Sequence, residues 1–343
     1  MIITRFHDLE SMEIEVEFLT PTFLGGANKS AEIRSAPFKN LMRQWWRIVN
    51  GHLSPAELFR LENDFFGSAG KSGAIASSVK VKVTSRSGNI TTLNDLHKKE
   101  KDNILQIPKL NGEKQNINAF IYLGYGPISS KEGFVNFITP GERVTLYIEF
   151  PKKAKEMVLN VLHHAHYFGS IGSRSRNGWG AFTFTSNKYD FSEPVEIKTT
   201  TIQNSFCDKH YPWTFAKDQN GILCWETACF KDWKQVIREI AKLYATLRYN
   251  TQSLKSINNR AILGLPLKNA KSIKGTDRIP KQLRMTVNKC SEGLKGLFYH
   301  LPYMTPVKLN VDNSQNELWK DIHKVLDNCT ELCRTTKIVR EVR

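Results

Sequence analysis

The amino-acid sequence predicts an α+β fold built on a ferredoxin-like (RRM-like, βαββαβ) unit, and three observations carry that prediction. Segments whose apolar residues alternate are interleaved with segments whose apolar residues recur at helical spacing, the signatures of half-buried strands and amphipathic helices. Their order through the N-terminal half is strand, helix, strand, strand, helix, strand, which an antiparallel sheet with its helices on one face accommodates. The stretch FGSIGSRSRNGWGAF, residues 168–182, places a glycine-rich loop before the last of those strands. A length of 343 residues with 40% hydrophobic content favours two domains over one.

In Glu13–Phe18, Ile14, Val16 and Phe18 alternate with glutamates, which defines the first strand. After TPTFLGG the period changes. Phe38, Leu41, Met42, Trp45, Ile48 and Val49 share one arc of a helix that begins at Pro37 and ends at Gly51. A shorter helix over Pro55–Phe66 and a strand over Val79–Val83 follow. Residues 85–118 are polar, lysine-bearing and without period, and read as an insertion. Val144, Leu146, Ile148 and Phe150 alternate in RVTLYIEF. Beyond Pro151, Met157, Val158, Val161, Leu162, Ala165 and Phe168 form a second helical face, and AFTFT after the glycine loop is the closing strand.

The Thr-rich stretch Phe191–Asn204 reads as a linker, dividing a domain over 1–200 from one over 201–343. The second domain offers a long helix over Asp232–Tyr249, with Trp233, Val236, Ile237, Ile240, Leu243, Tyr244 and Leu247 on its apolar side. Strands are predicted at AILGLPL, QLRMTV and LKGLFYHL, and a terminal helix through Leu318, Ile322, Val325, Leu326 and Cys329. From the residues alone this is an irregular α+β unit.

Lysine and arginine number 49 against 33 acidic residues, a net charge of +16 that attracts polyanions whatever the fold, with nucleic acid first among them. Eleven of those cations and only two acids, Asp277 and Glu292, fall between Arg248 and Lys295. The opening MIITRFHDLESMEIEVEF lacks the pattern of a secretory signal. No apolar run approaches the ~18 residues of a membrane span, so a cytoplasmic protein without membrane attachment is expected. Cys207, Cys224, Cys229, Cys290, Cys329 and Cys333 form no CxxC pair, and no metal or other cofactor is implied. GKS at Gly70–Ser72 is not a P-loop, because the first glycine that motif requires is replaced by Phe65.

Two segments carry binding chemistry. On the first helix Lys39, Arg43 and Arg47, spaced by four, form a basic stripe with Trp46 at its border, a pattern in which cations hold phosphates and a ring stacks a base. The bland alternative is a solvated amphipathic helix. In the loop, Gly169, Gly172 and Gly178 permit close backbone approach, free amides of such a turn form an anion-binding concavity, and Arg174 and Arg176 add forked donors for phosphate. Trp179, between two glycines, reads as a core anchor more readily than as a ligand contact. His163, His164 and His166 raise a catalytic alternative, since His163 and His166 project opposite the apolar face of their helix.

The stretch LTPTFLGGANKSAEIRSAPFKNLMRQWWRIVNG, together with the glycine loop, resembles the RAMP superfamily of CRISPR proteins. Within it the chain is similar to the family formed by the first RAMP subunit of the Cmr complex, the type III-B CRISPR effector. DFFGS, YLGYGP and GLPL match further blocks of that family, whereas Pro37 and Asn40 stand where it commonly has Ser and Gly. The resemblance implies two ferredoxin-like domains and a non-catalytic, RNA-binding subunit for antiviral defence. It further implies that the subunit meets guide RNA near its 3′ end and target single-stranded RNA, beside other RAMP subunits. Phosphate contacts are expected from Arg34, Lys39, Arg43, Arg47, Arg174 and Arg176, with Arg260, Arg278, Lys281 and Arg284 added from the second domain and Trp46 stacking. The rival functions are a metal-independent endoribonuclease maturing guide RNA through His163 or His166, and a scaffold that meets only proteins.

Overall fold

A computed structural model describes residues 8–26, 30–70, 73–87, 103–108, 112–129, 133–134, 136–207, 214–264, 279–304, 314–335 and 338–342. The N-terminal half contains β1 (Leu9–Phe18), α1 (Ser35–Val49), α2 (Pro55–Phe66), β2 (Lys80–Ser87), β3 (Arg143–Pro151), α3 (Lys155–Phe168) and β4 (Phe182–Thr185). Its strands pair antiparallel in the order β4-β1-β3-β2, the arrangement expected of a βαββαβ unit. Alternation in β1 is the cause of the layering. Met12, Ile14, Val16 and Phe18 are buried against Leu41, Trp45, Val161 and Leu162 of α1 and α3, each contributing roughly 1.5–3 kcal/mol of burial. The intervening Glu15 and Glu17 turn outward and pair with Arg143. Helix α2 starts sharply because Ser54 and Glu57 form a capping box with Pro55 in the first turn.

The C-terminal half contains β5 (Val195–Thr201), β6 (Cys224–Phe230), α4 (Trp233–Asn250), β7 (Leu283–Cys290), β8 (Gly293–His300), α5 (Gln315–Asp327), β9 (Leu332–Arg334) and β10 (Val339–Val342). Its main sheet runs β7-β8-β6-β9, again antiparallel, and repeats the strand arrangement of the first. Caps fix its helices: Asp232 accepts from the amides of Lys234 and Gln235, and Ser314 with Glu317 forms a second capping box. The two cores interlock. Phe215, Tyr299 and Leu301 join the first, while Leu19, Phe23, Trp179 and Ala181 join the second.

Several expectations are corrected. Strand β2 runs on to Ser87, and residues expected within an unstructured insertion form a hairpin, Ile104–Pro108 with Lys114–Asn118. The hairpin leads into a short helix, Ala119–Gly124, whose Ala119, Phe120 and Leu123 are buried in the second core. Residues 88–102 lie outside the described residues. The expected linker holds β5, which pairs in parallel with β10 and with Phe215–Asp218. Only Val195 and Ile197 face inward, too short an alternation to stand out in a Thr-rich stretch. AILG is not a strand but a 3-10 turn, with Ala261, Ile262 and Leu263 all buried. A disulfide, Cys229–Cys290, joins the ends of β6 and β7 across 61 residues of sequence.

Candidate nucleic-acid interface

The glycine loop passes from α3 to β4 and touches both halves. Gly172 has φ +90°, and a Cβ there would lie 2.7 Å from the Phe23 carbonyl oxygen; Gly180 has φ +70°, and a Cβ would overlap the Ile171 carbonyl. Arg174 is the one non-glycine at positive φ among the described residues, at 59°. Several amides of the turn are occupied. Ile171 donates to Gly180 (2.8 Å), Ser173 to Phe23 (2.9 Å), Gly178 to Met285 (3.0 Å) and Gly180 to Pro21 (3.1 Å), while Met285 donates back to Arg176 (3.1 Å). The loop is thus a strap bonded to β7, with Arg174 and Arg176 within it. Trp179 is fully buried, with ring centroids of Phe23 at 5.5 Å, Phe120 at 5.9 Å and Trp233 at 6.2 Å, which establishes it as the anchor.

Around the strap the chain gathers cations. The Lys281 ammonium donates to Asn177 Oδ1 at 2.8 Å and stands 3.7 Å from the Tyr244 ring centroid. Burial, then the positive charges of Arg248, Arg174 and Arg176, hold it well below the usual lysine range. Arg248 donates to the Tyr122 hydroxyl at 3.1 Å. Burial pulls the Arg284 guanidinium down to about 10, with Tyr299 opposing and Arg176 adding to the shift. Arg260 donates through Nε to the Leu254 carbonyl at 2.6 Å and lies 5.6 Å from the Tyr249 ring. Because a guanidinium stays protonated, these shifts register first the cost of burying positive charge and second the repulsion of neighbouring cations.

Next to this cluster Tyr125 is 64% exposed, and a Cβ on the adjoining Gly126 would lie 3.5 Å from the Arg174 guanidinium. An open ring beside a cation is the combination that stacks a base. Sequence reading missed Tyr125, although the glycines of YLGYGP were a usable signal for a turn that presents it.

On the other side of the strap, a cavity of about 410 Å³ separates it from α1. Phe23, Leu24, Leu41 and Ile171 supply apolar wall; Asn40, Gln44 and Ser173 supply polar groups. Arg34 stands at its rim and donates to the Gly25 carbonyl at 3.2 Å. The first turn of α1 carries no acid, so the positive end of the helix stays unopposed there.

The basic stripe of α1 takes no part in this surface. Trp46 is 1% exposed, covered by α2 through Phe65 and Phe66 at 6.1 and 6.4 Å, and cannot stack a base. Arg43 and Arg47 both bond Glu62 of α2, whose side chain is 1% exposed, with Arg47 Nε at 2.6 Å from Oε2. They join two helices through that carboxylate while remaining partly open to solvent. Lys39, partly buried and lowered by that burial and by Arg43, does not line the cavity. Arg278 lies outside the described residues. The histidines are half-buried and have backbone partners: His163 Nε2 is 2.7 Å from the Glu193 carbonyl, and His166 Nδ1 accepts from the Phe184 amide at 3.1 Å with its ring stacked on Phe191. Burial, with His163 adding, lowers His166 to about 4.

A βαββαβ unit with a glycine-rich loop before its last strand defines a class of protein. Residues 15–183 match the model of the RAMP superfamily. No curated protein matches the sequence. In fold the chain is similar to Cmr1 from Pyrococcus furiosus in its apo form, at a TM-score of 0.57 and 18% identity, covering 95% of this chain and 98% of that one. It is also similar to a chain of the type III-B Cmr-beta complex bound to cognate target RNA, at a TM-score of 0.50 and 14% identity, covering 93% of this chain and 100% of that one.

Proposed function

We propose that this protein is a non-catalytic RNA-binding subunit of a type III-B CRISPR effector, the counterpart of the first RAMP subunit of the Cmr complex. It holds guide RNA near its 3′ end and single-stranded target RNA beside other RAMP subunits in the cytoplasm. One observation carries the reading: Arg174, Arg176, Arg248, Lys281 and Arg284 converge on the glycine strap, where burial and then the surrounding positive charge hold Lys281 down, and the exposed Tyr125 adjoins Gly126, which faces the Arg174 guanidinium. Similarity in fold to Cmr1 and to a chain of a target-bound Cmr complex supports the assignment. The backbone partners already held by His163 and His166 argue against the ribonuclease alternative.

The test is a salt titration of single-stranded RNA binding with Arg174→Ala and Arg176→Ala combined. Affinity falls across all sequences, and the slope of log K against log salt drops by about 0.7 per phosphate contact removed. An unchanged slope and affinity would remove the strap from the interface.

A further inference from the structure

We infer that the cavity between α1 and the glycine strap holds one unpaired nucleobase, whose edge is read by the carboxamides of Asn40 and Gln44. The inference rests on the RNA-binding reading and adds sequence preference to it. At about 410 Å³ the cavity falls near the small end of the roughly 300–1,000 Å³ typical of ligand pockets, room for a single nucleotide. Its construction suits a base. Leu24, Leu41 and Ile171 give apolar surface for the faces of a ring, while the polar side chains are Arg34, Asn40, Gln44 and the serines of the strap.

Asn40 and Gln44 are separated by one helical turn, lie on the same face of α1, and are both exposed. Each carboxamide offers a donor and an acceptor side by side, the complement of a base edge. A pair so placed contacts the edge of a base entering between helix and strap. Arg34 at the rim and Arg174 on the strap, both exposed, are positioned for the phosphates on either side of the inserted nucleotide. The cation cluster grips the backbone without regard to sequence; the cavity supplies discrimination at one position.

The experiment measures binding of short A, C and U homopolymers to the full chain, to Asn40→Leu/Gln44→Leu, and to Gln44→Glu as a milder second variant. Homopolymers make the result independent of register. Wild type prefers one of the three by at least roughly fivefold, the value of a good bidentate base contact. The leucine pair levels that preference while keeping the salt slope, and Gln44→Glu changes the order of the bases. Equal wild-type affinities, or a preference that survives the leucine pair, overturn the inference and leave RNA binding standing. No binding of any homopolymer at low salt overturns the RNA-binding reading and this inference with it.

Discussion

Replacing Trp179 by alanine separates two ways the glycine strap can work. Its indole is 0% exposed and touches Phe23 from the N-terminal half and Trp233 from the C-terminal half. A tryptophan buries roughly 200 Å², which at about 25 cal/mol per Å² gives ~5 kcal/mol. Residual burial in the unfolded chain reduces this by roughly 10–40%, to about 3–4 kcal/mol. That agrees with the ~3–5 kcal/mol typical of truncating a buried aromatic ring. The indole N–H has no acceptor among the described residues, so no hydrogen bond there adds to the loss. Trp179→Phe keeps most of the ring contact and costs ~1 kcal/mol. Urea unfolding followed by circular dichroism reads the two variants, alongside RNA binding in conditions where each is folded. The alanine variant shows the large loss of stability, and the phenylalanine variant binds RNA as wild type does. An alanine variant of undiminished stability that no longer binds RNA would show the ring to be a stacking surface and refute the anchor.

Three further outcomes follow from the same contacts. Glu62→Gln leaves Arg43 and Arg47 without their carboxylate; with side-chain exposures of 34% and 49%, water recovers part of the loss, and the cost is about 1–2 kcal/mol with RNA affinity unchanged. A steeper salt dependence in that variant would return the stripe to the interface. His164 and His323 are held neutral by burial, at about 4 and about 3 against an ordinary 6.5. Below pH 6.5 the unfolded chain binds protons that the folded chain excludes, so stability falls on acidification from 6.5 towards 4, by up to about 1.4 kcal/mol per pH unit for each. Urea midpoints that stay level from pH 7 to pH 5 would contradict this. Labelled repeat RNA incubated with the protein in EDTA yields no discrete fragments; fragments abolished by His166→Ala would establish the ribonuclease alternative.

The strands and helices were legible where period and length agreed, as in β1, α3, α4 and β8. The site was legible only in part. Arg174 and Arg176 stood out because two arginines in a glycine-rich turn have little structural use. Periodicity gives the angle of a side chain about its own helix but not what packs there, so Trp46 looked half-open until α2 covered it. Glu62, in the charged segment PAELFRLEND, gave no sign that it would be buried. The cation cluster depends on contacts such as Arg248 with Tyr122, 126 residues apart, and Lys281 with Asn177, 104 apart, which no local pattern encodes. Cys229 and Cys290 meet for the same topological reason, at the ends of two strands flanking β8.

Strands β4 and β7 are each the outermost of their sheet, and the bonds from Gly178 and Met285 lay the strap along β7. An outermost strand with open amides and carbonyls is a template for indiscriminate pairing with other chains. The strap thus covers that margin at Met285 while presenting Arg174 outward. Either half expressed without the other loses that cover and is expected to aggregate, so the strap proposed to meet RNA also guards a strand edge.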